Sequence, residues 1–280
     1  MNPLITQYIW QISEAHLPEL QFKIKNVGKA PQLSALPRNF DARIKASGMA
    51  KAYNDYFTER YSTDKRVLVL PVHGEMSRES YWNYGNEFYM RQLNSALKDP
   101  DYIGAVLDIQ SPGGTADSTS AFAQTVYNFN KVKTIITSTA YCGSAALQVA
   151  SQCEEVHIED QASSSMGSIG TLLILENYIE YLKQQGVEVR IMRAKGSENK
   201  ALVNPYEQLP KSAEAELQAM LDACQKEFVG AVKRGRAGKI TSSEVFTGKM
   251  YNATDSIRLG LADRKGDLYG AIKRVLELAA

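Results

Sequence analysis

At 280 residues the chain allows one large domain or two small ones. Hydrophobic residues at 44% and charged residues at 22% suffice for a sizeable core. The formal net charge of +1 leaves no global basic field, which argues against nucleic acid as the main partner. Three cysteines, Cys142, Cys153 and Cys224, form an odd set without metal-ligand spacing and predict reduced, mostly buried thiols in a cytosolic protein. Met1-Asn2-Pro3-Leu4 lacks a basic n-region, and Glu14, His16 and Glu19 interrupt any signal-peptide core. No run of about 18 apolar residues occurs, so no membrane span is expected.

Residues 1–66 carry ten Lys/Arg against six Asp/Glu, with Pro31 and Pro37 as punctuation. They predict an N-terminal arm or small subdomain, with a helix in reach from Ala42 to Arg60. From Arg66 the pattern sharpens. Val67-Leu68-Val69-Leu70-Pro71-Val72 is a continuous apolar run, expected for a strand covered on both faces, with Pro71 marking an edge or a bend. A helix is predicted over 84–98, and a second buried strand from Ile103 to Ile109 ends at Ser111-Pro112-Gly113-Gly114. A helix starts from Thr115, a third strand covers Lys133 to Ser138, and Ser144 opens the next helix. A short strand at Val156–Ile158, a helix over 176–185 and a strand from Val187 to Met192 follow. Leu217, Met220, Leu221, Cys224, Phe228 and Val232 make one apolar stripe on a helix of about 211–237, either an oligomer arm or a face packed on the sheet. A final helix runs from Leu268 to Leu278. Strands alternating with helices predict an α/β fold of repeated βαβ units with a mainly parallel sheet and a long C-terminal helical arm. In such sheets sites gather at the carboxyl ends of strands, where Gly113-Gly114 and Ser144 both fall.

Several of these residues can do chemistry. A Gly113-Gly114 pair after a strand turns sharply and uncovers N–H groups able to hold a developing oxyanion, worth roughly 3–4 kcal/mol per donor; it also suits an ordinary turn. Ser144, between Gly143 and two alanines at a helix start, is an uncrowded nucleophile with the Ala145 N–H as a second oxyanion donor, or else an N-cap serine. His16, His73 and His157 have no clear position opposite Ser144, so a Ser/His/Asp triad is poorly supported. A lysine serves as base if its pKa drops ~3 units, at about 1.36 kcal/mol per unit. Lys195, flanked by Arg193 and Lys200, is the first choice and Lys200 its rival. Ser168, between Gly167 and Ile169, can orient the lysine or simply make a turn. Cys142, two residues before the helix, would point away.

These elements resemble the signal peptide peptidase A (protease IV) family and its relatives, the head-maturation proteases of tailed phages, over about residues 66–270. Ser111-Pro112-Gly113-Gly114 is similar to the family's turn after the second strand, and Ser144 falls where the family carries its nucleophile. Gly167-Ser168-Ile169-Gly170 and Ala194-Lys195-Gly196 resemble its lysine-contacting serine and its lysine loop. Val245-Phe246-Thr247-Gly248-Lys249 with Leu259-Gly260-Leu261-Ala262-Asp263 resembles its closing segment. Gln110, Ala145-Ala146 and Leu147-Gln148 depart from its pattern.

The resemblance implies a Clp protease/crotonase-like fold, with a Ser-Lys peptidase domain over 67–270 and a C-terminal helix end at 271–280. It implies catalysis by Ser144, Lys195 and Ser168, an oxyanion hole from Gly114, Gly113 and Ala145, and no metal or organic cofactor. It further implies a homo-oligomeric ring or dome, in some members with the lysine reaching across a subunit boundary. Protein or peptide substrates are expected, with phage scaffold and capsid proteins favoured, in the cytoplasm or the phage prohead. The alternatives are a cytosolic peptide-degrading peptidase and an inactive structural head component. A crotonase-type acyl-CoA enzyme would share the glycine turn but has no need of Ser144 or Lys195.

Overall fold

The computed structural model describes residues 10–12 (backbone only), 65–79 and 84–279. The arm or subdomain expected over 1–66 therefore lies outside the described residues, apart from strand β1 (Trp10–Ile12) and the last two positions. Strand β2 (Arg66–His73) forms from the apolar run, whose alternate residues are buried on opposite faces. Leu68, Leu70 and Val72 join one core and Val67 and Val69 another, as required of a strand sandwiched between layers.

Strand β2 pairs in parallel with β3 (Tyr102–Ser111), from Val67↔Gly104 to His73↔Gln110. A short strand β4 (Gly113–Thr115) continues from β3. Strand β5 (Thr134–Gly143) pairs in parallel with β3, its early half with β6 (Glu155–Ile158) and its last residues with β7 (Ser165–Gly167). Strand β8 (Met250–Asn252) runs antiparallel to β7, and β9 (Arg264–Lys265) closes beside β6. Among the described residues the order is β2-β3-β5-β6-β9, with β7 and β8 off this path. Pro71 sits on β2, an edge strand among the described residues, where a proline's missing N–H is tolerated.

The sheet is covered on both faces, as parallel sheets require. Helices α1 (Asn86–Lys98), α2 (Thr119–Asn130) and α3 (Ala145–Ala150) contribute Leu93, Phe122, Val126 and Leu147 to the larger core. A short helix α4 (Ile179–Gln184) precedes the long α5 (Lys211–Gly235), and α6 (Ala253–Arg258) follows β8. Helix α7 (Leu268–Ala279) sets Ala271, Ile272 and Val275 against Val67, Val69, Val106 and Ile136 on the opposite face. The α/β class and mainly parallel sheet are as expected from the sequence.

Three local expectations need correction. Helix α2 begins at Thr119, because Thr115 is still in β4 and Ser118, at φ 65°, turns the chain. Helix α4 is shorter than the expected 176–185. Val187 to Met192 is not a strand: Val187, Val189 and Met192 are 48%, 39% and 91% exposed, and no strand among the described residues pairs with them. The stripe on α5 divides. Phe228 and Val232 are buried against the body, whereas Leu217, Leu221 and Cys224 are half-buried and Met220 is exposed.

The closing segment is tied down by charge. The Arg236 side chain is fully buried; its Nε donates to the Gly260 carbonyl at 2.9 Å and its Nη1 to Asp263 Oδ2 at 2.6 Å. Lys239 Nζ donates to Asp263 Oδ1 at 2.7 Å, and the Val156 N–H to Asp263 Oδ2 at 2.7 Å. Burial opposes the charge on Asp263, but these donors, Arg236 foremost, hold its carboxyl below the usual range. A depressed carboxyl stabilises the fold above its unfolded pKa, about 3.9, and that stability is lost as pH falls toward the native value. Thermal unfolding followed from pH 7 to pH 3 is expected to show Tm falling below about pH 4. Asp263→Asn should lower Tm at pH 7 and flatten the acid limb; an unchanged acid limb would assign that limb to other groups.

Candidate active site

Three chain segments leave the sheet together. Ser111 pairs with Cys142 at the end of β3 and β5, and Gly143 pairs with Gly167 at the end of β5 and β7. Ser144 and Ser168 therefore leave adjacent strands side by side, and α3 packs against β4.

Ser144 is held in a conformation rare for a residue with a side chain, at φ 52° and ψ −118°. Its N–H donates to the Gly167 carbonyl at 2.8 Å and its carbonyl accepts from the Gln148 N–H at 3.1 Å. The hydroxyl does not cap α3; it points to the Gly170 carbonyl at 3.5 Å and is buried. A strand-to-helix corner with a strained serine is the geometry of a nucleophile elbow. Ala145 opens α3, so its N–H belongs to the first turn, which lacks intrahelical partners. Ser168 is likewise left-handed, at φ 57°, and its N–H donates to the Lys249 carbonyl at 2.9 Å.

The glycine strand is fixed from the other side. Ser111 Oγ donates to the Gly74 carbonyl at 2.6 Å and accepts from the Gly113 N–H at 3.2 Å. The Met76 N–H donates to the Gly113 carbonyl at 2.8 Å, and the Thr115 N–H to the Met76 carbonyl at 2.9 Å. A Cβ on Gly114 would lie 1.8 Å from that Met76 oxygen, so no other residue fits there. Backbone groups alternate along a strand. With Gly113 C=O and Thr115 N–H turned to Met76, the N–H and C=O of Gly114 face the opposite edge.

Lys195 lies exposed in the irregular stretch after α4, with no hydrogen bond to Ser144 or Ser168 among the described residues. That stretch is organised by Arg193, whose Nη2 donates to Glu207 Oε2 at 2.5 Å and whose Nε donates to the Lys200 carbonyl at 2.6 Å. The rival Lys200 is exposed as well. His73 pairs with Asp108 at 2.9 Å and His157 with Glu155 at 2.9 Å, neither with Ser144; His16 lies outside the described residues. Cys142 is buried and its thiol is pushed far up by desolvation, which leaves it unreactive.

Three contributors, Gln110, Met76 and β1, were given no positioning role by the sequence reading. Gln110 Oε1 accepts the Ala140 and Tyr141 N–H groups, each at 3.2 Å, where the β3–β5 register shifts. It thereby re-aims the last residues of β5 before Ser144; a polar side chain at the end of an apolar run was its signal. Met76 and β1, which flank the glycine strand on its two edges, carry weaker signals, β1 only the Ile9, Trp10 and Ile12 enrichment typical of strands. Among the described residues no three His, Cys, Asp or Glu side chains are grouped to hold a metal ion, and no helix is long and apolar enough to cross a membrane.

Residues 128–280 match the model of peptidase family S49. Capsid assembly protease C of Escherichia phage lambda is 26% identical over 72% of this chain and 47% of its own length. Protease 4 of Haemophilus influenzae is 23% identical over 81% of this chain and 38% of its own. The chain thus spans about half or less of these two relatives. Among solved structures, a mutant of the membrane-bound stomatin-specific protease 1510-N in complex with a substrate peptide is 13% identical, with a TM-score of 0.42 over 76% of this chain and 80% of that one.

Proposed function

The chain belongs to peptidase family S49, and from that membership we propose that it is a serine endopeptidase with Ser144 as nucleophile and Lys195 as base. The strained Ser144 at the β5–α3 corner, with a hydroxyl that caps no helix, is the observation that carries this reading. Neutral Lys195 takes the Ser144 proton as Oγ attacks a peptide carbonyl, and the oxyanion accepts from the N–H groups of Ala145 and Gly114, Gly113 being the alternative. Gly114 suits the role better, since the Gly113 N–H already has Ser111 Oγ as acceptor. The proton then passes to the leaving amine, and water hydrolyses the acyl-enzyme with the lysine again as base. Ser168, beside Ser144, orients the lysine.

Lys195 is exposed and makes no hydrogen bond to Ser144 among the described residues, which favours its reaching Ser144 of a neighbouring copy in a homo-oligomer. The uncovered half of the α5 stripe supports such an assembly. Similarity to capsid assembly protease C supports phage capsid or scaffold proteins as substrates; general peptide clearance is the second enzymatic reading.

A fluorophosphonate probe and a denatured protein substrate test the chemistry. Wild type should label and cleave, whereas Lys195→Ala should lose about 10²–10⁴-fold in rate. Mixing Ser144→Ala with Lys195→Ala protein should restore part of the activity, because mixed oligomers contain boundaries with both groups intact. A dead Lys200→Ala variant beside a fully active Lys195→Ala variant would move the base to Lys200. A wild type that neither labels nor cleaves would leave an inactive structural component of the same fold.

A further inference from the structure

The edge of β4 that faces away from Met76 is occupied. Strand β1 lies on it antiparallel, with Trp10 opposite Thr115, Gln11 opposite Gly114 and Ile12 opposite Gly113. On the alternation above, the Gly114 N–H and C=O point to this edge, so Gln11 stands at the position where the pair exchanges backbone hydrogen bonds. Gly114 is also the residue whose N–H is assigned to the substrate carbonyl. The chain's own backbone thus meets the group that an incoming peptide needs. The adjacent Ser144 is buried.

We propose that Trp10–Ile12 fills the peptide-strand site of its own chain, as an internal competitor that an extended, unfolded substrate segment must displace. The inference rests on the peptidase reading for its consequence, though not for the pairing itself. Recognition at this edge is β-strand addition, in which main-chain hydrogen bonds supply affinity regardless of sequence. The substrate class is therefore an extended chain segment able to lie antiparallel to Gly113–Thr115. A folded surface loop, unable to offer a straight edge, would leave β1 in place.

Gln11→Pro removes one backbone N–H from the pairing and disfavours the strand. For an extended fluorogenic peptide KM should fall about 5- to 100-fold with kcat unchanged, the size of two backbone hydrogen bonds. A synthetic peptide of residues 6–16, added to the Gln11→Pro protein, should raise KM again as a competitive inhibitor. Occupancy is read without catalysis by hydrogen exchange at Gly114 in a Ser144→Ala background. There the amide should be protected with Gln11 present, exposed with Gln11→Pro, and protected again by the added peptide. Unchanged Gly114 exchange between the two variants would overturn the proposal, and so would a peptide that neither protects nor inhibits. If exchange follows β1 but no variant labels or cleaves, the pairing stands and the peptidase reading falls. If all variants cleave with one KM, the reverse holds.

Discussion

Ser144→Ala protein is expected to hydrolyse nothing above background and to take up no fluorophosphonate, a loss on the order of 10⁴-fold or more in kcat. The structure allows this to be separated from a folding defect. Residue 144 sits at φ 52° and ψ −118°, so alanine inherits the same backbone strain as serine, about 1–3 kcal/mol. Glycine relieves it. Ser144→Gly should be equally inactive yet melt higher than Ser144→Ala, a pairing expected of strain retained for chemistry. Among the described residues the hydroxyl's one partner is the Gly170 carbonyl at 3.5 Å, so removing it leaves no strong hydrogen bond unmade there. If Ser144→Gly melts no higher than the alanine variant, the strain is not being held at this position. If either variant keeps hydrolytic activity, the nucleophile lies elsewhere.

Gly114→Ala is expected to have the largest combined effect on stability and rate. The added Cβ meets backbone rather than a movable side chain: 1.8 Å to the Met76 oxygen and 2.6 Å to its carbonyl carbon and nitrogen. Met76 cannot step aside without breaking its bonds to Gly113 and Thr115, at 2.8 and 2.9 Å. The cost belongs at or above the upper end of overpacking, roughly 3 kcal/mol. For a chain of this size that lowers Tm by about 6–12 °C. The displaced N–H should also cost about 10²–10³-fold in kcat. Differential scanning calorimetry beside steady-state kinetics distinguishes the two losses. A stable, active Gly114→Ala protein would mean that the glycine strand neither approaches Met76 so closely nor serves the oxyanion.

Most of the sheet could be read from the residues. Val67 to Val72 is apolar at every position and Ile103 to Ile109 at all but Asp108, because both faces are covered, and that signal survives without knowledge of neighbours. Strands β4, β7, β8 and β9 did not stand out, since two or three residues carry no period and exist only through their partners. Val187 to Met192 failed for the converse reason. Its β-branched residues suit a strand, but no free edge receives it, and strand preference without a partner stabilises little. In the candidate site, the order of Ser111, Ser144 and Ser168 was legible because each stands in a short glycine-containing motif. Their left-handed backbones at 144 and 168 were not, because nothing in a Gly-Ser pair records which of the two residues bears the strain. The exposure of Lys195 was equally invisible, since sequence order gives no burial.

Helix α5 has a mechanical consequence. Its C-terminal end is clamped: the Ala231 carbonyl accepts from Gln152 Nε2 at 2.8 Å, Arg234 donates to Gln152 Oε1 at 3.0 and 3.1 Å, and Gly235 packs on the Ser151 carbonyl. Ser151 and Gln152 directly follow the helix that Ser144 precedes. Toward its start the helix is mostly exposed: Ala213 in the first turn is buried, but Met220, about 16 Å up the axis from Ala231 at 1.5 Å per residue, is not. The helix is a beam clamped at one end and touched near the other. Amides of its exposed middle should exchange with solvent more readily than those beyond Phe228, which open only with the whole domain. A load on that exposed middle, whether a neighbouring copy or a crosslinker, bears on the root, one short helix away from Ser144.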